Sequence, residues 1–466
     1  MSRRALKIIK NKYAGAAADM LLSATTLALK VMKIHFIGIG GIGISALARY
    51  FLAEGNEVSG SDCAESSILN ELKIAGAKIF IGHQKENIKE PDLVVFSAAV
   101  PDDNPELIEA RRLGIKCQKY AEALGDLTKN MFTIAVSGMH GKSTTTAMIG
   151  LMMEKVGLDP TVILGTKVRE WDNSNFRLGR NKYLVIEADE YDRSLLNYWP
   201  KILVLLNIEE EHLDTYAGGL PDIMKTFEEY VSHLSNDGTL IYNGENNNTV
   251  RIAQGAEGRA QNYALKSETE NLKLKVPGRH NISNANAALA VAGVLGIDEK
   301  IAVEALNEFS GTWRRMEYKG DINGAKIYDD YGHHPTEIKA TLEGARELLD
   351  ISHKPDAKLW CVFQPHQYQR THKLFDQFLG AFDAADEVII LPIYSVAGRE
   401  KDDIKRKVSS DKLATSIREV RSKPGDIIYL ESFNQAAAHL RQKLKSGDIC
   451  IIMGAGDIYQ LTEKII

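Results

Sequence analysis

This 466-residue chain predicts three consecutive α/β domains, each a mainly parallel sheet with flanking helices. Three observations carry that expectation. Short β-rich runs alternate with helix-period segments from Met32 to the end. Most of the runs are apolar almost throughout, as in strands buried on both faces. The length suits about three domains at roughly 150 residues each.

Taken in order, the first third offers strands at KIHFIGIG (33–40), NEVSGSD (56–62), KIFIG (78–82) and LVVFSAA (93–99), with helical segments such as ISALARYFLAE between them. The second third repeats the alternation with FTIAVSG (132–138), PTVILGT (160–166), YLVIEAD (183–189) and ILVLLNI (202–208). The last third brings AKIYDDYG, KLWCVFQPH, EVIILPIYS, DIIYLE and DICIIMGAG. These place domains at 32–130, 131–312 and 313–466. Residues 1–31 carry Arg3, Arg4, Lys7, Lys10 and Lys12 before a small-residue stretch that Asp19 interrupts. They read as an N-terminal extension or an early start, with Met32 opening the folded chain.

The chain is 44% hydrophobic and 26% charged, with a net charge of -5. That balance excludes a global field built for nucleic acid or a membrane surface, so an anionic ligand must be held by local features. No apolar run reaches the roughly 18 residues that a membrane helix requires. Cys63, Cys117, Cys361 and Cys450 are far apart, without a CxxC pair. They read as reduced core thiols of a cytoplasmic protein.

Gly38, Gly40, Gly41 and Gly43 form GIGGIG between a strand and a helix, a GxGxxG turn in a Rossmann-like setting. Such glycines let the backbone approach a diphosphate at a helix N-terminus. Asp62, which ends the next strand, can accept a ribose hydroxyl. UDP and NAD share ribose and pyrophosphate, so the pattern alone fits either. It also fits a turn needed only for packing.

Residues 132–146 read FTIAVSGMHGKSTTT, a strand running into a shortened phosphate loop and then a helix. Backbone N–H groups across Gly138, Met139, His140 and Gly141 can wrap a phosphate. Lys142 adds charge, and Ser143 or Thr144 can place a hydroxyl on Mg2+. The full P-loop pattern needs glycine where Val136 stands, and Gly138 takes its place. Two acidic strand ends follow, YLVIEADEYD with Glu187, Asp189, Glu190 and Asp192, and ILVLLNIEEEHLDTY with Asn207, His212 and Asp214. Parallel strands put such ends on one edge, where carboxylates and an imidazole can ligate Mg2+. Glu187 and His212 are the two singled out.

Together with GRHNISNANAALA, WRRME, YDDYGHHPTE, QPHQYQRTHKLF and GAGDIY, these segments resemble the Mur ligase family of peptidoglycan synthesis over nearly all of the chain from Met32. DDYGHHPTE, QPHQYQRT and SAAVPDDNPE are similar to the branch that adds the first amino acid. The resemblance implies a UDP-sugar domain, an ATP domain and an amino-acid domain, with UDP-N-acetylmuramate, L-alanine and ATP as substrates and Mg2+ as cofactor. It settles GIGGIG in favour of UDP. It implies that Lys142 meets the ATP phosphates, that Ser143 and Glu187 serve Mg2+, and that His212 is a second-metal or substrate-phosphoryl ligand. His280, Asn281 and Asn284 match an adenine site, and Arg315 an arginine reaching ATP across the domain boundary. Tyr331, His333, His366 and Arg370 match the pocket for the amino acid and the sugar carboxylate, with His333 a candidate proton acceptor. Two departures stand out. Gln367 occupies a position where relatives usually carry arginine, and GMHGKS replaces GTHGKT. Phe227 stands where sister ligases use a carbamylated lysine. The alternatives are a ligase of the same family that attaches a whole tripeptide, and an NAD-dependent dehydrogenase or regulatory nucleotide-binding protein, which leaves 138–144 unexplained.

Overall fold

The structure, a computed structural model, describes residues 31–212, 215–256, 260–264, 271–351, 356–395, 402–421 and 426–466. The expected extension, apart from its last residue, and Asp214 lie outside them. The chain divides into two compact units, Met1–Ile39 with Phe51–Cys117, and Gly40–Tyr50 with Gln118–Ile466.

The first sheet contains β1 (Lys33–Ile37), β2 (Glu57–Asp62), β3 (Lys78–Ile81), β4 (Leu93–Phe96) and β5 (Lys116–Lys119), in the order β3-β2-β1-β4-β5. β1 lies parallel to β2 and β4 at the centre, where LVVF is buried throughout. The turn after β1 is tight because Gly38 takes φ +76°, and the N–H groups of Gly38 and Ile39 both donate to the Ser61 carbonyl.

The second sheet contains β6 (Phe132–Ser137), β7 (Thr161–Val168), β8 (Ser174–Arg177), β9 (Tyr183–Ala188), β10 (Ile202–Leu205), β11 (Thr239–Tyr242) and β12 (Ala260–Asn262). Their order is β12-β11-β10-β6-β9-β7-β8. β6 sits between β10 and β9, parallel to both, so the strand order reverses there. Ligands of parallel sheets bind at such a switch point, beyond the carboxyl ends of the strands. Three motifs therefore meet: the phosphate loop after β6, EADEYD after β9 and NIEEEH after β10. Helix α1 (Lys142–Lys155) and the alanine-rich α2 (Arg279–Leu295) share one buried core over this sheet. Small residues set the spacing, since a Cβ on Gly150 would come within 2.8 Å of Trp171.

The third sheet contains β13 (Glu317–Ile322), β14 (Ala325–Asp330), β15 (Leu359–Phe363), β16 (Glu387–Ile390), β17 (Ile427–Tyr429) and β18 (Ile449–Met453), in the order β13-β14-β18-β15-β16-β17. Apolar clusters cover both faces, with α3 (Pro335–Ile351) on one of them. The short α4 (Tyr368–Lys373) follows β15.

Two expectations need correction. The strands β5, β8, β11, β12 and β13 have no counterpart in the sequence reading. KCQK, SNFR, AQN and EYKGDI are short or polar segments, each at the end of a sheet, and an edge strand needs no continuous apolar run. β8 and β13 are antiparallel to their neighbours. The thiols of Cys361 and Cys450 are buried core groups as expected, but Cys63 is exposed and Cys117 only half-buried. Among the described residues no helix is long and apolar enough to cross a membrane.

Candidate active site

The phosphate loop is held open by contacts that exclude side chains at two points. Gly138 has φ +137°, and a Cβ there would approach the Asn207 carbonyl to 2.9 Å. Gly141, with φ +85° at the N-cap of α1, would put a Cβ 2.5 Å from Oδ1 of Asn284. Asn207 clamps the loop from β10: its Oδ1 accepts from the N–H of His140 at 2.8 Å, and its Nδ2 donates to the His140 carbonyl at 3.0 Å. Met139 is buried and its N–H donates to the Asn207 carbonyl. Lys142 folds over the loop, donating to the Gly138 carbonyl at 2.7 Å and to Oε2 of the buried Glu190 at 2.8 Å. Burial alone would lower the Lys142 ammonium, but Glu190 and Asp189 raise it, so it stays charged.

Two acidic groups sit beyond the loop. Glu187 is raised chiefly by burial, with Ser143 the neighbour that lowers it most. Oε2 of Glu187 is buried without a hydrogen-bond partner, and a Cβ on Gly165 would lie 2.3 Å from Oε1. A hydroxyl beside a carboxylate oxygen with spare capacity fits a hard divalent cation such as Mg2+. His212, with φ +50°, faces Glu190 instead, Nε2 to Oε1 at 3.2 Å, and its ligand atom lies within 4.8 Å of those of Asp189 and Glu190. Thr144 is buried at the start of α1.

The third sheet meets this edge through Glu337, in the first turn of α3. Its carboxylate reaches Nη1 of Arg315 at 3.1 Å, Nδ1 of His140 at 3.4 Å and Nδ1 of His333 at 3.4 Å. Burial would raise Glu337, but Arg315 and His140 hold it well below the usual carboxylate range. His140 also faces Glu209 at 3.7 Å. Burial opposes its protonation, yet Glu209 and Glu337 together push it up to about 10. The guanidinium of Arg315 lies over the Tyr331 ring at 5.5 Å, while its neighbour Arg314 is buried against Asp329 and the carbonyls of Gly454 and Gly456.

The four residues expected around the amino acid are gathered here. Tyr331 meets His333 edge-on at 5.7 Å, and His333 meets His366 at 6.0 Å. His366 stacks on Tyr394 and accepts from Nη1 of Arg370 at 3.2 Å. Burial first, then the Arg370 charge, hold the His333 imidazole well below its ordinary value, so it is neutral. Glu211, from the loop after β10, closes this group, with Oε1 3.8 Å from Nε2 of His333 and 3.6 Å from Nη2 of Arg370. Gln367 takes φ +70° just before α4 and donates its N–H to the Tyr394 carbonyl, so its visible role is in the backbone.

A cleft of about 430 Å³ opens between the start of α2 and α3, lined by Arg279, His280, Ala340, Glu343, Gly344 and Glu347. Burial, then Arg315, lower His280 to about 4, leaving it neutral. Asn281 donates to the Pro277 carbonyl at 2.7 Å, and Asn284 faces Gly141. Gly40 and Gly41 precede the next helix, Ile42–Ala53, and Gly43 lies in its first turn; the Gly41 carbonyl accepts from the Ser45 N–H, and a Cβ on Gly43 would touch Tyr120. Asp62 ends β2 and accepts from the Cys63 N–H at 2.7 Å. Phe227 is buried, and the nearby Lys225 is exposed.

Glu211 and Glu337 are not among the site residues the sequence points to, and Glu190 is one of its strand-end carboxylates but not one of the two singled out there. Glu190 lies inside EADEYD, Glu211 inside NIEEEH and Glu337 at the end of DDYGHHPTE. Their signal was adjacency to motif residues, and acidic loop residues are too common for adjacency to select among them.

Sequence profiles match the chain in order: the Mur ligase family catalytic domain at residues 33–131, the Mur ligase middle domain at 136–271 and the Mur ligase glutamate ligase domain at 314–456. The UDP-N-acetylmuramate–L-alanine ligase of Clostridium acetobutylicum is 41% identical over 460 residues, 93% of this chain and 97% of that one. Its namesake from Clostridium botulinum is 40% identical over 463 residues, 94% and 98%. The crystal structure of the Thermotoga maritima UDP-N-acetylmuramate–alanine ligase superposes with a TM-score of 0.75 at 28% identity, covering 93% of this chain and 98% of that one. A murein peptide ligase from Psychrobacter arcticus gives 0.67 at 26% identity, with 93% and 98% covered. With three domain matches in sequence order and relatives this similar over nearly the whole length, the chain belongs to the Mur ligase family.

Proposed function

We propose that this chain joins L-alanine to the carboxylate of UDP-N-acetylmuramate at the expense of ATP, by way of an acyl phosphate. The named relatives support the substrates. One observation supports the chemistry most directly: Lys142 and the Ser143–Glu187 pair sit across one junction from the neutral His333 and the Arg370 guanidinium.

A carboxylate resists an amine because its leaving group is poor and its charge repels nucleophiles. Transfer of the γ-phosphoryl group converts it into a mixed anhydride. Lys142 neutralises charge on the phosphates, and Arg315 adds a second cation from the third sheet. Ser143 and Glu187, with His212, would hold Mg2+, which would supply further charge neutralisation. Arg370 takes a carboxylate of the incoming substrates. The amine attacks the acyl carbon, phosphate leaves, and the neutral His333 accepts the amine proton. His280, Asn281 and Asn284 seat the adenine, whereas Gly38, Gly40, Gly41, Gly43 and Asp62 take the uridine diphosphate. In this reading residues 32–130 bind the UDP-sugar, 131–312 bind ATP and 313–466 bring the amino acid. The work takes place in the cytoplasm.

The test is phosphate release from ATP with UDP-N-acetylmuramate, magnesium and a panel of acceptors: alanine, glycine, serine and the tripeptide. Release that depends on alanine and on the muramic-acid nucleotide is expected. A preference for the tripeptide would move the chain to the recycling branch, and no release with any acceptor would reject the ligase reading.

A further inference from the structure

Far in sequence from the phosphate loop, the first unit buries a carboxylate that organises an exposed thiol. Glu106 is fully buried. Its Oε1 accepts from Nδ2 of Asn87 at 2.5 Å and from the Gln84 N–H at 3.2 Å, and its Oε2 accepts from the Ser61 hydroxyl at 2.5 Å. Nε2 of His35 lies 3.4 Å from the same oxygen. An ionised carboxylate has no hydrogen to give, so the single hydrogen of Ser61 is spent on Glu106. The 2.9 Å contact between Ser61 Oγ and His83 Nδ1 therefore runs the other way, with Nδ1–H donating. With the hydrogen on Nδ1, the lone pair of the ring is on Nε2. Nε2 lies 3.4 Å from Sγ of Cys63, whose residue is exposed. The tautomer follows from counting hydrogens outward from Glu106. A thiol facing the acceptor nitrogen of a histidine whose other nitrogen is anchored to a polar chain has the arrangement of an activated nucleophile.

We propose that Cys63 is a modification site, a thiol activated by His83 that exchanges with small-molecule disulfides. The thiol proton passes to Nε2 of His83. The Cys63 sulfur attacks one sulfur of the disulfide, a Cys63–S–S–R bond forms, the original S–S bond breaks, and RS⁻ leaves and takes up a proton. A second thiol reverses the exchange with the same balance. None of these residues belongs to the ligase chemistry above, so the inference stands apart from that reading.

The experiment treats the full chain with an aromatic disulfide at neutral pH and maps the labelled cysteines by mass spectrometry over time. Cys117 is the internal reference: it is half-buried, burial pushes its thiol up, and its Sγ contacts only the Ile115 carbonyl among the hydrogen bonds described. Cys63 is expected to label first, and Cys63→Ser to abolish the fast phase. His83→Gln is expected to slow Cys63 by about tenfold while Cys117 keeps its rate. Equal rates for Cys63 and Cys117 in the parent chain, or an unchanged Cys63 rate in His83→Gln, overturn the proposal. Where His83→Gln loosens the unit, seen as faster Cys117 labelling, His83→Asn decides, because its amide can keep the donor towards Ser61 and Glu106 while removing Nε2: slower Cys63 labelling supports the relay, and an unchanged rate overturns it.

Discussion

Glu106 and Glu187 are both carboxylates drawn out of water, one in each compact unit, and their surroundings treat them in opposite ways. At Glu106 burial would raise the carboxyl, yet hydrogen bonds from His35, Ser61 and Asn87 outweigh it and bring it down to about 2. At Glu187 burial wins over Ser143 and Lys142, the carboxyl is raised, and one oxygen has no partner. A fully satisfied buried carboxylate stabilises its own domain. A carboxylate with an unpartnered buried oxygen keeps capacity for a further donor or cation.

The comparison can be broken at several points. The largest effect is expected at Lys142, which lies over the loop after β6. Lys142→Ala should cut turnover by about 10³-fold or more while UDP-sugar binding survives. Near-normal phosphate release from that variant would remove the phosphate loop from the mechanism. On the satisfied side, the folded Glu106 value of about 2 lies below its ordinary 4.5. Its contribution is therefore full above pH 4.5 and lost as pH falls towards 2. The amount is roughly 3 kcal/mol. Melting curves of the parent chain and Glu106→Gln across that window should differ at pH 7 and converge in acid. Parallel curves would show that Glu106 is not the group responsible.

Glu187→Gln should raise the magnesium requirement by about tenfold or more with little change in melting temperature. An unchanged metal titration removes Glu187 from the ligand set, and a large drop in melting temperature would make it a structural group like Glu106. The smallest effect is expected at Glu211, whose contacts with His333 and Arg370 are long. Glu211→Gln should raise KM for alanine by about fivefold, ~1 kcal/mol, with kcat nearly unchanged. A fall in kcat at constant KM would assign Glu211 to the chemical step instead.

Much of the fold is legible in the chain because strands buried on both faces must be apolar. ILVLL and ICIIM announce themselves, whereas KCQK and EYKGDI at sheet edges do not. The phosphate loop is legible for a related reason: Gly138 and Gly141 stand where a positive φ and close neighbours leave no room for a Cβ, so the requirement is written into residue type. Glu337 is the contrary case. Its partners His140 and Arg315 come from distant segments, and no local pattern tells a bridging glutamate from a solvated one. Cys63 misled for the same reason, since a lone cysteine reads as core unless its neighbours in space are known.

What the sequence determined alone is whatever a residue's own covalent nature imposes: apolar runs that must be covered, glycines where backbone must bend or approach, a lysine and hydroxyls following a strand. Tertiary structure decided which polar groups face one another, and through that their charge. Glu190 pairs with Lys142 and His212, Glu337 joins three cations or potential cations, and His83 turns its lone pair to Cys63. Coulomb and hydrogen-bond energies depend on distances of a few ångströms between segments tens to hundreds of residues apart, and only folding sets those distances.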